Sequence, residues 1–132
     1  FWQLLRLENG FRAAVGEESL GNEGQQRLLQ AVKEGRIAFF LAKRGSRAVG
    51  MCSVALSFST FACAQVGVFD DFFVEPAFRG RGAARVLALA AQDWCAARGV
   101  SSLTACCAPC DEGMYIRLGF GTRLGANYAK LL

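Results

Sequence analysis

Apolar positions along the chain switch between a helical and an alternating period, and each switch marks an element. Residues 1–14 set Trp2, Leu5, Phe11 and Ala14 among charges at amphipathic-helix spacing, and Gly16–Gly24 is a polar loop. A second helix is expected from about Glu23 to Glu34, with Leu28, Leu29 and Val32 on one face and Gly35 closing it. Ile37–Ala42 reads as a strand, Arg44–Arg47 as a turn and Ala48–Phe58 as a longer strand, so the two form a hairpin. Ser59–Ala64 is a loop, and Gly67–Glu75 is a third strand rich in Val and Phe. From about Gly82 to Arg98 the period is helical again. Val86, Leu89, Ala90 and Ala97 form a stripe there, flanked by Leu87, Ala91, Trp94 and Cys95, so the helix should pack on a sheet until Gly99 stops it. Ser102–Cys107 reads as a fourth strand, Asp111–Leu118 as a short helix ended by Gly119, and Ala126–Leu132 as a last strand. The order αα-ββ-β-α-β-α-β predicts a mixed α/β fold with helices on a central sheet, in a single domain over residues 1–132.

Composition narrows the chemistry. At 132 residues and 53% hydrophobic content the chain has material for one core and not two. Its net charge is +4 and basic residues scatter, so no nucleic-acid stripe is present. The exception is Arg79, Arg81 and Arg85 around a glycine loop, with Asp70, Asp71 and Glu75 just before it; Glu75, beside Pro76, is expected at the surface. Histidine is absent, which excludes Ser-His-Asp and Cys-His catalysis and any His-containing metal site. No apolar run reaches membrane-span length, and Arg6 and Glu8 interrupt the apolar start, so neither a membrane partner nor a signal peptide is expected. Cys52, Cys63, Cys95 and Cys106 lie in apolar segments, where free Cys acts as a small hydrophobe, and a reduced cytoplasmic setting is expected.

The loop Arg79-Gly-Arg-Gly-Ala-Ala84 follows a strand and opens a helix, so its backbone N–H groups aim at whatever lies above the strand end, a place suited to phosphate. A dinucleotide fingerprint would need glycine where Arg85 stands, and an ATP-type loop would need Gly-Lys-Ser/Thr. Both fail. Arg79-x-x-Gly82-x-Ala84 instead matches the Arg/Gln-x-x-Gly-x-Gly/Ala signature of the GNAT superfamily of N-acetyltransferases, and Tyr115-x-x-x-Gly119-Phe120 resembles that family's ending. The likeness covers nearly the whole chain, with the family's usual first strand apparently missing before Phe1. It implies acetyl-CoA as co-substrate and no metal. Gly80, Arg81, Gly82, Ala83 and Ala84 would cradle the pyrophosphate, Arg79 or Arg81 would add charge, and Phe72, Phe73 and Val74 would pair with the pantetheine arm.

The same resemblance places Tyr115 as the acid toward the CoA sulfur. "DDFFV…FRGRG" is similar to the core of diamine (spermidine/spermine) N-acetyltransferases, which makes Asp70 the base candidate and Asp71 the amine-binding candidate. On a regular strand the two would point to opposite faces. The family's Asn, seven residues before the Tyr, is Ala108 here. The expected partner is a small cationic amine or polyamine, with a peptide amine second, and exposed strand ends permit a homodimer. Two rival readings stand beside this one. A CoA-binding module without catalysis would share the loop. The Cys107-x-x-Cys110 pair suggests thiol redox chemistry, but its helix is short and no proline lies beyond Pro109 to face it.

Overall fold

The computed structural model describes residues 1–132. Its elements are α1 (Trp2–Ala14), α2 (Asn22–Lys33), β1 (Ile37–Arg44), β2 (Arg47–Ser59), β3 (Ala64–Val74), α3 (Ala83–Ala97), β4 (Leu103–Ala105) and α4 (Glu112–Arg117). They build one sheet in the order β1-β2-β3-β4. The first three strands are antiparallel neighbours, and β4 joins β3 in parallel. That parallel join is brief, running from Gly67↔Leu103 to Phe69↔Ala105. Beyond Phe69, β3 continues to Val74 with no strand on that side, so the sheet splays open there.

Each face of the sheet has its own core. On one side Leu87, Ala88, Ala91 and Cys95 of α3 cover Cys52, Val54 and Phe69. On the other, Leu4 and Leu7 of α1 cover Ala48, Met51 and Phe73. Both helices sit at a different rotation from the one their apolar residues predict. Trp2 is 70% exposed while Leu4 and Leu7 are inside, and Val86 is 62% exposed while Leu87 and Ala88 are inside. Polar anchors set the phase of α1. Gln3 accepts from the Ala48 amide and Arg6 donates to its carbonyl, each at 2.5 Å, which pins the helix to the start of β2.

Two expectations fail. Ala126–Leu132 forms no strand; residues 121–132 are exposed, without regular structure, and Leu124, Tyr128, Leu131 and Leu132 have nothing to pack on. An alternating apolar pattern makes a strand only where an edge accepts it, and the tail pairs with none. Glu75 is not a loose surface charge. Its carboxylate takes Arg6 at 3.1 Å and Arg47 at 2.9 Å, tying α1, β2 and the end of β3 together.

Gly67 lies where β2, β3, β4 and α3 meet. A Cβ there would come within 2.7 Å of Leu103 Cδ2 and 2.8 Å of Val54 Cγ1, and Val54 is too stiff to yield. Gly67→Ala should therefore lower the unfolding free energy by about 1–3 kcal/mol, read from denaturant melts. An unchanged midpoint would show that the strand junction has slack.

Candidate active site

The site begins with one extra residue in β3. Ser53 pairs with Asp70 and Met51 with Phe73, so Cys52 faces two residues, Asp71 and Phe72, and a bulge forms. Asp71 takes φ +50°, a conformation that short polar side chains tolerate better than most. Its Oδ2 accepts the Ser53 hydroxyl at 2.6 Å, and its amide donates to Asp70 Oδ1 at 2.8 Å. Cross-strand partners share a face, so Ser53, Asp70 and Asp71 all stand on the α1 side. The opposite-face expectation for the two aspartates is thus corrected by the bulge. Past it, Phe72 points to the α3 side and Phe73 to the α1 side.

These carboxylates differ. Asp70 is exposed. Burial holds Asp71 above the ordinary carboxylate range, the Ser53 hydrogen bond opposes that, and Asp70 adds to the rise. A third carboxylate, Glu8 of α1, joins them and was not anticipated. It is 8% exposed, and its Oε2 is buried without a hydrogen-bond partner. Burial first, then the charge of Asp71, pushes Glu8 up to about 7, with Arg12 opposing and Asp70 adding. The sequence did hold a signal for it. Leu4, Leu7, Glu8 and Phe11 follow the i, i+3, i+4, i+7 rule of a buried stripe, so Glu8 occupies a core position.

The glycine loop supplies the anion side. Gly80 has φ +74°, and Gly82, at φ +86°, is the N-cap of α3. No side chain caps that helix, and the amides from Gly80 through Arg85 donate to no backbone carbonyl. Six consecutive N–H groups are thus available at a helix start, where the dipole also favours an anion. They fit the diphosphate of a CoA-type molecule. Arg81 stacks at 5.9 Å over Phe78, exposed and beside the loop. Arg79 turns the other way. Its Nε donates to the Val74 carbonyl at 2.8 Å and its guanidinium lies 5.8 Å from the Phe73 ring, so it braces the end of β3.

Tyr115 closes the far side of the splay, held by the end of α4. The Phe120 amide donates to the Tyr115 carbonyl at 3.0 Å and the Gly119 amide to that of Ile116 at 3.0 Å, with Gly119 at φ +105°. This is a Schellman cap, and the expected contact across it is the Phe120–Tyr115 ring pair at 5.7 Å. Phe69 and Phe72 of β3 stack edge-on to Tyr115 at 6.4 and 6.0 Å. The Tyr-x-x-x-Gly-Phe spacing is therefore a helix stop that aims the tyrosine at β3. Burial, then Cys107 and Asp70, push its phenol up to about 12, so it keeps its proton.

The family model of the acetyltransferase (GNAT) family matches residues 2–120. The chain belongs to that family. Solved structures agree on the fold. A probable acetyltransferase superposes with a TM-score of 0.86 at 19% identity, over 98% of this chain and 89% of that one. An aminoglycoside acetyltransferase from an uncultured soil metagenomic sample gives 0.84 at 15%, over 100% and 87%. AAC(6')-Iy, solved with the bisubstrate analogue CoA-S-monomethyl-acetylneamine, gives 0.76 at 21%, over 97% and 92%. No curated protein matches the chain.

Cys107 and Cys110, the pair considered for redox chemistry, are free thiols. Lost hydration, then Glu112, raise the Cys107 thiol, the reverse of what an attacking thiolate needs.

Glu8 carries a pH prediction. It titrates at about 7 when folded against 4.5 for a free glutamate, so the folded chain holds the extra proton between those values. Its contribution is complete below 4.5 and is lost as pH rises through about 7. Asp71, also raised, acts in the same sense. Thermal midpoints of the ligand-free protein should fall across this window, and Glu8→Gln should flatten part of the fall. An unaltered slope in the variant would remove Glu8 from the account.

Proposed function

We propose that this acetyltransferase moves an acetyl group from acetyl-CoA to a primary amine by direct attack, with no acetyl-enzyme intermediate. The favoured acceptor is a small cationic amine or polyamine, with a peptide amine second. The observation that supports this best is the run of six unpartnered amides at the start of α3, beside the edge of β3 that no strand covers beyond Phe69. The charge of Asp70 raises both Glu8 and Tyr115.

Acetyl-CoA supplies an acetyl group already activated as a thioester. The Gly80–Ala84 amides hold its anionic end, with Arg81 as the nearer free cation, and the open edge at Phe72, Phe73 and Val74 orients its arm. The Val74 carbonyl, taken by Arg79, is the one backbone group there already engaged by a side chain. Asp71 anchors the amine. Asp70 takes the proton that the ammonium must lose, since an alkylamine titrates near ~10. The nitrogen forms the new amide bond as the carbon–sulfur bond breaks. Tyr115 titrates at about 12, above a thiol, so its main service is an O–H hydrogen bond to the departing sulfur. A fold neighbour named an aminoglycoside acetyltransferase supports the choice of an acceptor rich in amines.

A screen of acetyl-CoA consumption against polyamines, aminoglycosides, amino acids and peptides tests the reading. Turnover with a cationic amine is expected, and none with any amine would end it. Tyr115→Phe should lower kcat by about tenfold to a thousandfold with little change in the KM of acetyl-CoA. Asp70→Asn should lower kcat and shift the acid limb of the pH profile.

A further inference from the structure

Glu8 is the one charged residue of the chain that is nine-tenths buried, and it forms no ion pair; only the unpaired charge of Arg12 favours its ionised form. Its Oε2 has no partner. None of the four ion pairs includes Glu8, Asp70 or Asp71. Asp71 is met by a hydroxyl and Asp70 by an amide, both neutral donors. Arg12, the one cation facing Glu8, spends its Nε on the Glu18 carbonyl. A buried carboxylate without a counter-charge is costly, and two side by side are worse. The missing partner is a cation.

We propose that Glu8 is a specificity residue of the acceptor site, which with Asp71 seats a second, non-reacting ammonium group, so that the enzyme favours acceptors bearing two or more amines. The inference rests on the transfer reaction proposed above. Its argument is one of charge. The nitrogen that attacks must shed its proton at Asp70, so it cannot remain a counter-ion. The deeper pair, Glu8 and Asp71 beneath α1, then needs a positive group that stays charged throughout. An ammonium suits this pair better than a metal ion, because no three carboxylates or thiols of the chain converge into a metal-holding group. Its three N–H bonds would also satisfy the orphaned Oε2, which a monoamine held at Asp70 would leave bare.

The experiment compares 1,4-diaminobutane with butylamine on wild type and Glu8→Gln, an isostere of the protonated side chain. Wild type should prefer the diamine, and Glu8→Gln should cut the diamine-to-monoamine ratio of kcat/KM by about tenfold, mainly through the diamine KM. Glu8→Asp should recover part of the ratio. A ratio unchanged by Glu8→Gln, or equal losses for both amines, would overturn the proposal. Thermal shifts separate it from the reaction itself. A diamine that stabilises wild type but not Glu8→Gln upholds the seat even if no amine is turned over. Turnover of both amines at one rate sinks the seat and leaves the reaction standing. Stabilisation by Mg2+ or Ca2+ that depends on Glu8, with none by the diamine, would also overturn it.

Discussion

The bulge at Asp71 is the constraint on which the site depends. A regular β3 would carry Asp70 and Asp71 on opposite faces and send Phe73 toward α3. One added residue brings both aspartates beneath α1 and returns Phe72 to the side where Tyr115 stands. A non-glycine residue at φ +50° costs about 1–2 kcal/mol. The Ser53 hydroxyl and the Asp70 carboxylate each offset part of that by satisfying Asp71. The same irregularity lies just past the last β3–β4 pair, at Phe69 and Ala105, so the turn that aligns the carboxylates accompanies the opening of the cofactor slot.

The polar machinery is built as two halves of opposite sign on either side of that opening. Six amides and Arg81 stand at the start of α3, while Glu8, Asp70 and Asp71 gather as carboxylates beneath α1. Between them the walls are aromatic, with Phe69, Phe72, Phe120 and Tyr115 in mutual contact. Such a wall lowers the polarity around the phenol. It also explains the tyrosine. A phenol packed among three rings stays neutral well above ordinary pH, and so remains an O–H donor.

Element types were legible from the chain because periods and stops agreed: Gly35, Gly99 and Gly119 each end a helix where the sequence places the end. Helix rotation was not. Apolar content around α1 and α3 is high on more than one side, and the choice fell to contacts with distant residues, such as Gln3 and Arg6 with Ala48. The glycine loop was readable because phosphate binding needs consecutive amides at a helix start. The bulge had no local signal, since Asp-Asp in a Val/Phe strand fits regular pairing equally well. Glu8 was hidden by assumption. A charged residue is read as solvent-facing unless its neighbours at i−4, i−1 and i+3 are checked, and here these are Leu4, Leu7 and Phe11. The final strand was overread because pattern alone cannot supply a pairing edge.

The departure at Ala108 bears on how Tyr115 is held. Where the resemblance leads one to expect an Asn bonding the cofactor, this chain has a methyl group, followed by Pro109 and a short turn into α4. The orientation of Tyr115 therefore has to come from within the protein. Two independent restraints provide it: the Schellman cap fixes the backbone at Tyr115 from the C-terminal side, and Phe69 and Phe72 fix the ring from β3. A six-residue helix has little stability of its own, so the cap and the rings must also hold the helix itself. The Tyr115 phenol and the folding of α4 thus share the same contacts. Loosening the Gly119 turn would disturb Tyr115 first and, through Phe69, reach the α3-side core, whereas the α1-side core is built from other residues.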